Sequence, residues 1–204
     1  MNKELITMLE LQDSMNSKVS DTWRDNGNAW FRAIWIECGE LVDHYGWKWW
    51  KAQAPDMDQV ELELIDIWHF GLSIKLEQEV DLNIIAETLE RELAKPISSA
   101  NLIESVEDFA QQTLATKDFD VPRFAGLLGQ CNLSFSALFA RYVGKNVLNF
   151  FRQDHGYKEG TYKKVWDGRE DNEHLVEVLE AIGPNSDNVR DQIYNALKAR
   201  YPNA

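Results

Sequence analysis

The sequence predicts an all-α protein, an antiparallel helical bundle in a single domain over residues 1–204. Three observations lead there. Apolar residues recur at spacings of three and four along most of the chain, the period of one helix face. No alternating stretch is long enough to make a useful strand. The helical patterns are joined by short links, which set neighbouring helices antiparallel. With 204 residues, 44% hydrophobic and eight Trp, the chain can bury one sizeable core and a smaller appended layer.

The first helix is expected over 2–24, where Leu5, Met8, Leu11, Met15 and Val19 mark the apolar face and Gln12 and Asn16 are i,i+4 neighbours. Asp25-Asn26-Gly27-Asn28 breaks it, and Asn28 is placed to cap the second helix, Ala29 to Tyr45, which stops at Gly46. Trp47-Lys48-Trp49-Trp50-Lys51 and a loop through Pro55 lead to Asp56 or Asp58 as the cap of a third helix reaching Gln78. A fourth runs from Asp81 to Leu93, ended by Pro96, and a fifth covers 101–116. Pro122 to Arg152 reads as one long helix with a break near Gly144, and Asp187 to Tyr201 as a last amphipathic helix. Within the single domain, residues 81–120 are expected to be a mobile helical insertion and 145–172 a segment that closes over substrate.

A net charge of −13 opposes binding to nucleic acid, which needs a basic surface. No apolar run approaches the ~18 residues of a membrane span, and the N-terminus has no apolar signal core. A cytoplasmic protein with no membrane partner is expected. Cys38 and Cys131 lack metal-ligand spacing and read as buried thiols.

The informative residues are acids in the wrong place. At roughly 100° per residue, Glu37 shares a helix face with Trp30, Ala33, Ile34, Glu40 and Leu41, and Glu63 with Val60, Asp66, Ile67, Phe70 and Ile74. Two i,i+3 carboxylate pairs thus lie inside apolar stripes. Burying an unpaired carboxylate costs several kcal/mol, and four together repel. A hard divalent cation compensates most simply, and oxygen-only ligands suit Mg²⁺, with Mn²⁺ as a substitute. Opposing these acids in character, Arg141 to Arg169 holds seven Lys or Arg against three acids, a local charge of +4 within a chain of −13. Gly156, Gly160 and Gly168 punctuate it, which suits a flexible phosphate clamp.

Glu37-x-x-Glu40 followed by Glu63-x-x-Asp66 resembles the signature of the all-α nucleoside triphosphate pyrophosphatases, which include MazG-type enzymes and the dimeric dUTPases. Trp47-Lys48-Trp49-Trp50-Lys51, Lys145-Asn146-x-x-Asn149-x-x-Arg152-Gln153-x-x-Gly156-Tyr157-Lys158 and Glu170-Asp171-Asn172 are similar specifically to dimeric dUTPase. The resemblance spans nearly the whole chain and is weakest over 81–120 and after 175. It implies a homodimeric, Mg²⁺-dependent hydrolase taking dUTP, and dUDP, to dUMP, which limits uracil incorporation into DNA. It implies Glu37, Glu40, Glu63 and Asp66 as metal ligands. Lys145, Asn149, Arg152, Tyr157, Lys164 and Asn172, with Lys158 and Lys51, become sugar and phosphate contacts. Gln12 and Asn16 correspond to the amides that read uracil, with Trp50, His69 and Phe70 nearby. Glu37 or Glu40 is then the candidate to accept a proton from the attacking water. The same acids also admit a related pyrophosphatase acting on dCTP or a damaged nucleotide. Asp66-x-x-His69 gives some support to a di-iron carboxylate bundle, although such sites usually need Glu-x-x-His on two helices.

Overall fold

The computed structural model describes residues 1–182 and 188–202. Among them are nine α-helices: α1 Asn2–Val19, α2 Trp30–Tyr45, α3 Met57–Gln78, α4 Leu82–Leu93, α5 Leu102–Thr116, α6 Val121–Gln130, α7 Phe135–Asp154, α8 Asp171–Ile182 and α9 Val189–Arg200. A two-stranded antiparallel hairpin, β1 Val165–Trp166 with β2 Arg169–Glu170, precedes α8. The class is all-α, as the periodicity requires. No helix among the described residues is long and apolar enough to cross a membrane.

α3 is apolar on nearly every side, so it takes the centre. Trp68 on it is fully buried and stacks on Phe124 of α6, ring centroids 5.2 Å apart. α2 runs antiparallel to α3: His44 lies beside Glu63, and the Asp56 amide donates to the His44 carbonyl at 3.0 Å. α1, α4, α5, α6 and the first half of α7 complete this main core. Residues 81–120 contribute Ile85, Ala86, Leu89, Leu102, Val106, Phe109 and Phe119 to it. A second, smaller core joins Val147, Leu148 and Phe151 of α7 to Trp166, to Leu175 and Val178 of α8, and to Ile193 and Leu197 of α9.

Several boundaries differ from the sequence expectation. α1 ends at Val19, and the turn after it buries Trp23, whose Nε1 donates to Asp13 Oδ1 at 3.2 Å. Burying an indole outweighs one more turn of exposed helix. Ala29, not Asn28, is the N-cap of α2; the Asn28 amide donates back to the Trp23 carbonyl. The expected long sixth helix is two, parted at Cys131–Ser134, where Asn132 has a positive φ of 54° and Ser134 caps α7 by accepting from the Ala137 amide. Gly144 lies inside α7; a Cβ there would come within 2.6 Å of Leu179 on α8. It is a point of close helix approach and not a break. α8 and the hairpin were not foreseen. The expected last helix is present as α9, but its expected start at Asp187 lies outside the described residues.

Candidate active site

Ile34, Cys38 and Leu41 tie α2 to α3, and the turn of α2 between them carries Glu37 toward Glu63 and Asp66. Oxygen atoms of these three acids lie within 4.8 Å of one another, a spacing that one divalent cation can bridge. Glu63 is only 4% exposed. Glu40 is exposed and stands outside that trio, one helical turn along the same wall of the cleft. His44 Nε2 approaches Glu63 Oε1 at 3.5 Å.

The electrostatics bear out the crowding. Burial, then the neighbouring charge of Asp66, pushes Glu37 and Glu63 above the ordinary carboxylate range. The two side chains hydrogen-bond each other, so without a cation they hold a proton between them. Charge on this trio needs a positive partner. The protein supplies one in Lys145, only 1% exposed, whose Nζ lies 2.7 Å from Asp66 Oδ2.

The opposite wall comes from α7 and the start of α8. Arg152 makes a bidentate pair with Asp171, Nε to Oδ2 and Nη2 to Oδ1, both 2.8 Å. Asp171 is fully buried; burial alone would raise its pKa, but Arg152 holds it below the usual value. Tyr162 also donates to Asp171 Oδ2 at 2.8 Å. Asn149 Oδ1 accepts from Arg152 Nη1 at 3.2 Å, and Asn172 Oδ1 accepts from Lys145 Nζ at 2.9 Å and Arg152 Nη2 at 3.3 Å. The Arg152 guanidinium stands 5.7 Å from the Tyr157 ring centroid. Lys164, half-exposed, pairs with Glu170 at 2.9 Å. The two walls enclose a cleft of about 490 Å³ lined by Glu37, Glu40, Glu63 and Asp66 on one side and Arg152, Tyr157, Lys164, Glu170, Asn172 and Glu173 on the other, with Lys145 reaching from Asn172 to Asp66 between them.

A family model for dUTPase matches residues 4–157. The chain belongs to this dUTPase family. It is therefore a dUTP diphosphatase, and the cleft that sets the acid trio opposite Arg152 and Lys164 is its candidate active site. No curated protein matches the chain. All four acids and Lys145, Asn149, Arg152 and Tyr157 of this dUTPase fall in the matched span, whereas Lys158, Lys164 and Asn172 lie beyond it.

The other expected contacts are placed elsewhere. Lys158 Nζ donates to the Val19 carbonyl at 2.8 Å, away from the cleft lining. Trp50 and Lys51 are exposed beyond the end of α2, and Trp50 packs edge-on against Trp47 and Trp49. Phe70 stacks on Trp30 at 6.2 Å. Gln12 and Asn16 of α1 and His69 of α3 are buried in a hydrogen-bonded cluster with Ser73 and Tyr142, within two helical turns of Asp66 along α3. The sequence reading missed Asp171, Ser73 and Tyr142. Asp171 stands inside a quoted motif, between Glu170 and Asn172, but nothing local marks it as buried. Ser73 lies four residues after His69 on one helix face, which is a usable signal.

Proposed function

We propose that this dUTPase converts dUTP, and also dUDP, to dUMP with Mg²⁺ held by Glu37, Glu40, Glu63 and Asp66, and that Mn²⁺ substitutes. One observation carries the reading: an acid trio spaced for a hard cation shares a single cleft with Lys145, Arg152 and Lys164. The donor set is all oxygen and is short of positive charge, which fits such an ion and argues against iron held by histidine. Bound there, the ion supplies charge neutralisation at the phosphates and a more acidic water.

The remaining work belongs to the chain. Arg152 and Lys145 are held with their charged ends toward the cleft, so the phosphates meet a preorganised positive surface. Lys164, less encumbered and half-exposed, takes the outermost phosphate. Glu40, at the edge of the cleft and outside the trio, is the ligand least committed to the cation, which leaves it an oxygen to accept the proton of the attacking water. Residues 145–172 close over the nucleotide and exclude bulk water. Trp35 and Ile36, each 47% exposed on the outer face of α2 beside exposed Gly39, favour a homodimer, which sedimentation tests directly. The working compartment in this reading is the cytoplasm.

The deciding experiment incubates purified protein with each deoxynucleoside triphosphate, with and without Mg²⁺, and identifies products by chromatography. The expected result is dUMP and pyrophosphate from dUTP, only with the cation. Preferential turnover of dCTP, or undiminished dUTP turnover in a chelator, rejects the reading.

A further inference from the structure

Arg152 does not hold its own direction. Two of its three nitrogens are committed to Asp171, and the guanidinium is planar, so the edge it turns to the cleft follows wherever that carboxylate is held. Asp171 is held in turn from behind the cleft. Its amide donates to the Lys164 carbonyl at 3.0 Å, and the Tyr162 hydroxyl donates to Oδ2 at 2.8 Å. Tyr162 stands in a stretch, 161–164, that has neither helix nor strand. Such backbone keeps one conformation only through bonds and packing from elsewhere.

Tyr201, the first residue past α9, supplies much of that support. Its ring lies 13° from parallel with Tyr162, centroids 5.4 Å apart, and edge-on to Phe151 and Trp166, each at 5.3 Å. Its hydroxyl accepts the Lys163 N–H at 3.1 Å, and Trp166 Nε1 donates to the Lys163 carbonyl at 2.6 Å. Lys163 therefore has both backbone groups satisfied, between Tyr162 on one side and Lys164 on the other. Phe151 precedes Arg152 on α7, so a single ring touches both ends of the path to the guanidinium. Tyr162 and Tyr201 line no part of the cleft themselves.

We infer that Tyr201 is a positioning residue for the phosphates: packed on Tyr162, it fixes Asp171 and, through Asp171, the Arg152 guanidinium. The inference rests on the reading that Arg152 meets the phosphates of dUTP, and it adds what aims Arg152 there. The same rings also fill the smaller core, so a loss of stability alone is no test of it.

Calorimetry measures binding of a non-hydrolysable dUTP analogue with Mg²⁺, and of dUMP. Tyr201→Leu removes the stacked ring, and Tyr162→Phe removes only a hydroxyl. Each should weaken the analogue about tenfold and dUMP less than about threefold, because a guanidinium contributes most where phosphate charge is densest. Arg152→Lys should weaken the analogue at least as much. Added to Arg152→Lys, Tyr201→Leu should cost less than about twofold more, since the group it aims is gone. Full multiplication of the two losses overturns the inference. So does a Tyr201→Leu protein that melts lower yet binds both nucleotides in the wild-type ratio, the outcome of a packing role alone. If Tyr201→Leu does not fold, Tyr162→Phe in the wild-type and Arg152→Lys backgrounds decides in the same way. Analogue binding lost in Arg152→Lys but kept in the tyrosine variants strikes the inference alone. Unchanged binding in Arg152→Lys strikes the phosphate reading of Arg152, and the inference with it.

Discussion

A carboxylate as enclosed as Glu63 makes the metal-free protein sensitive to pH in a definite direction. Its folded pKa, like that of Glu37, is raised by burial first and by Asp66 second. The folded chain therefore holds protons that the unfolded chain has released. That contribution is fully present below the unfolded value of 4.5 and is lost as pH climbs toward about 9. In a chelator, the melting temperature should fall over this window, and millimolar Mg²⁺ should restore it. Glu63→Gln should flatten the pH dependence and abolish the Mg²⁺ effect; a mutant that still gains stability from Mg²⁺ would count against the ligand assignment. Asp66→Asn should lower turnover by about 10²-fold or more at saturating Mg²⁺ while the helical circular dichroism stays unchanged. Asp171 raises a different question, because its removal strands a buried guanidinium. Asp171→Ala should cost about 3 kcal/mol in urea unfolding. Replacing both partners, Arg152→Met with Asp171→Leu, should recover much of that stability and none of the dUTP binding.

Helices differ in how openly the chain announces them. α3 and α5 were legible because long apolar periods are preceded by capping side chains, Asp56 and Asn101. The parting of α6 from α7 was hidden, since the residues at Cys131–Ser134 keep the apolar pattern going and Gly144 is the more conspicuous interruption. The hairpin has two residues per strand, too few for alternation to register. α8 begins at once after it, where the basic segment drew the eye to charge instead of period. The acid trio was legible because a carboxylate inside an apolar stripe is an anomaly of pattern. Asp171 was not, because its burial depends on α7, far away in sequence. Packing between elements yields its own test at Gly126 in α6: a Cβ there would sit 1.9 Å from the Ile97 carbonyl oxygen. Alanine gains about 1 kcal/mol of helix propensity over glycine, yet Gly126→Ala should still destabilise by about 2 kcal/mol, because backbone must move. A melting temperature at or above wild type would show that the 97–98 connection yields freely.

Taken whole, the molecule has its acids in one core and much of its basic wall on a helix shared with another. Closure over the nucleotide should therefore appear as protection of residues 145–172 from hydrogen exchange only when a non-hydrolysable dUTP analogue and Mg²⁺ are both present, since each ligand completes the site for the other. Full protection of that segment in the ligand-free protein would remove the case for closure. α7 carries Lys145 and Arg152 toward the cleft, with Asn149 bonded to Arg152, and Val147, Leu148 and Phe151 into the rear core with α8 and α9. A helix is stiff, so what fills the space behind Phe151 also sets where Arg152 points. The family pattern ends at Tyr157, while Leu175, Val178, Ile193 and Leu197, which do that filling, come after it. A change of volume at any of these four positions should therefore reach the cleft through α7, although none of them lines it.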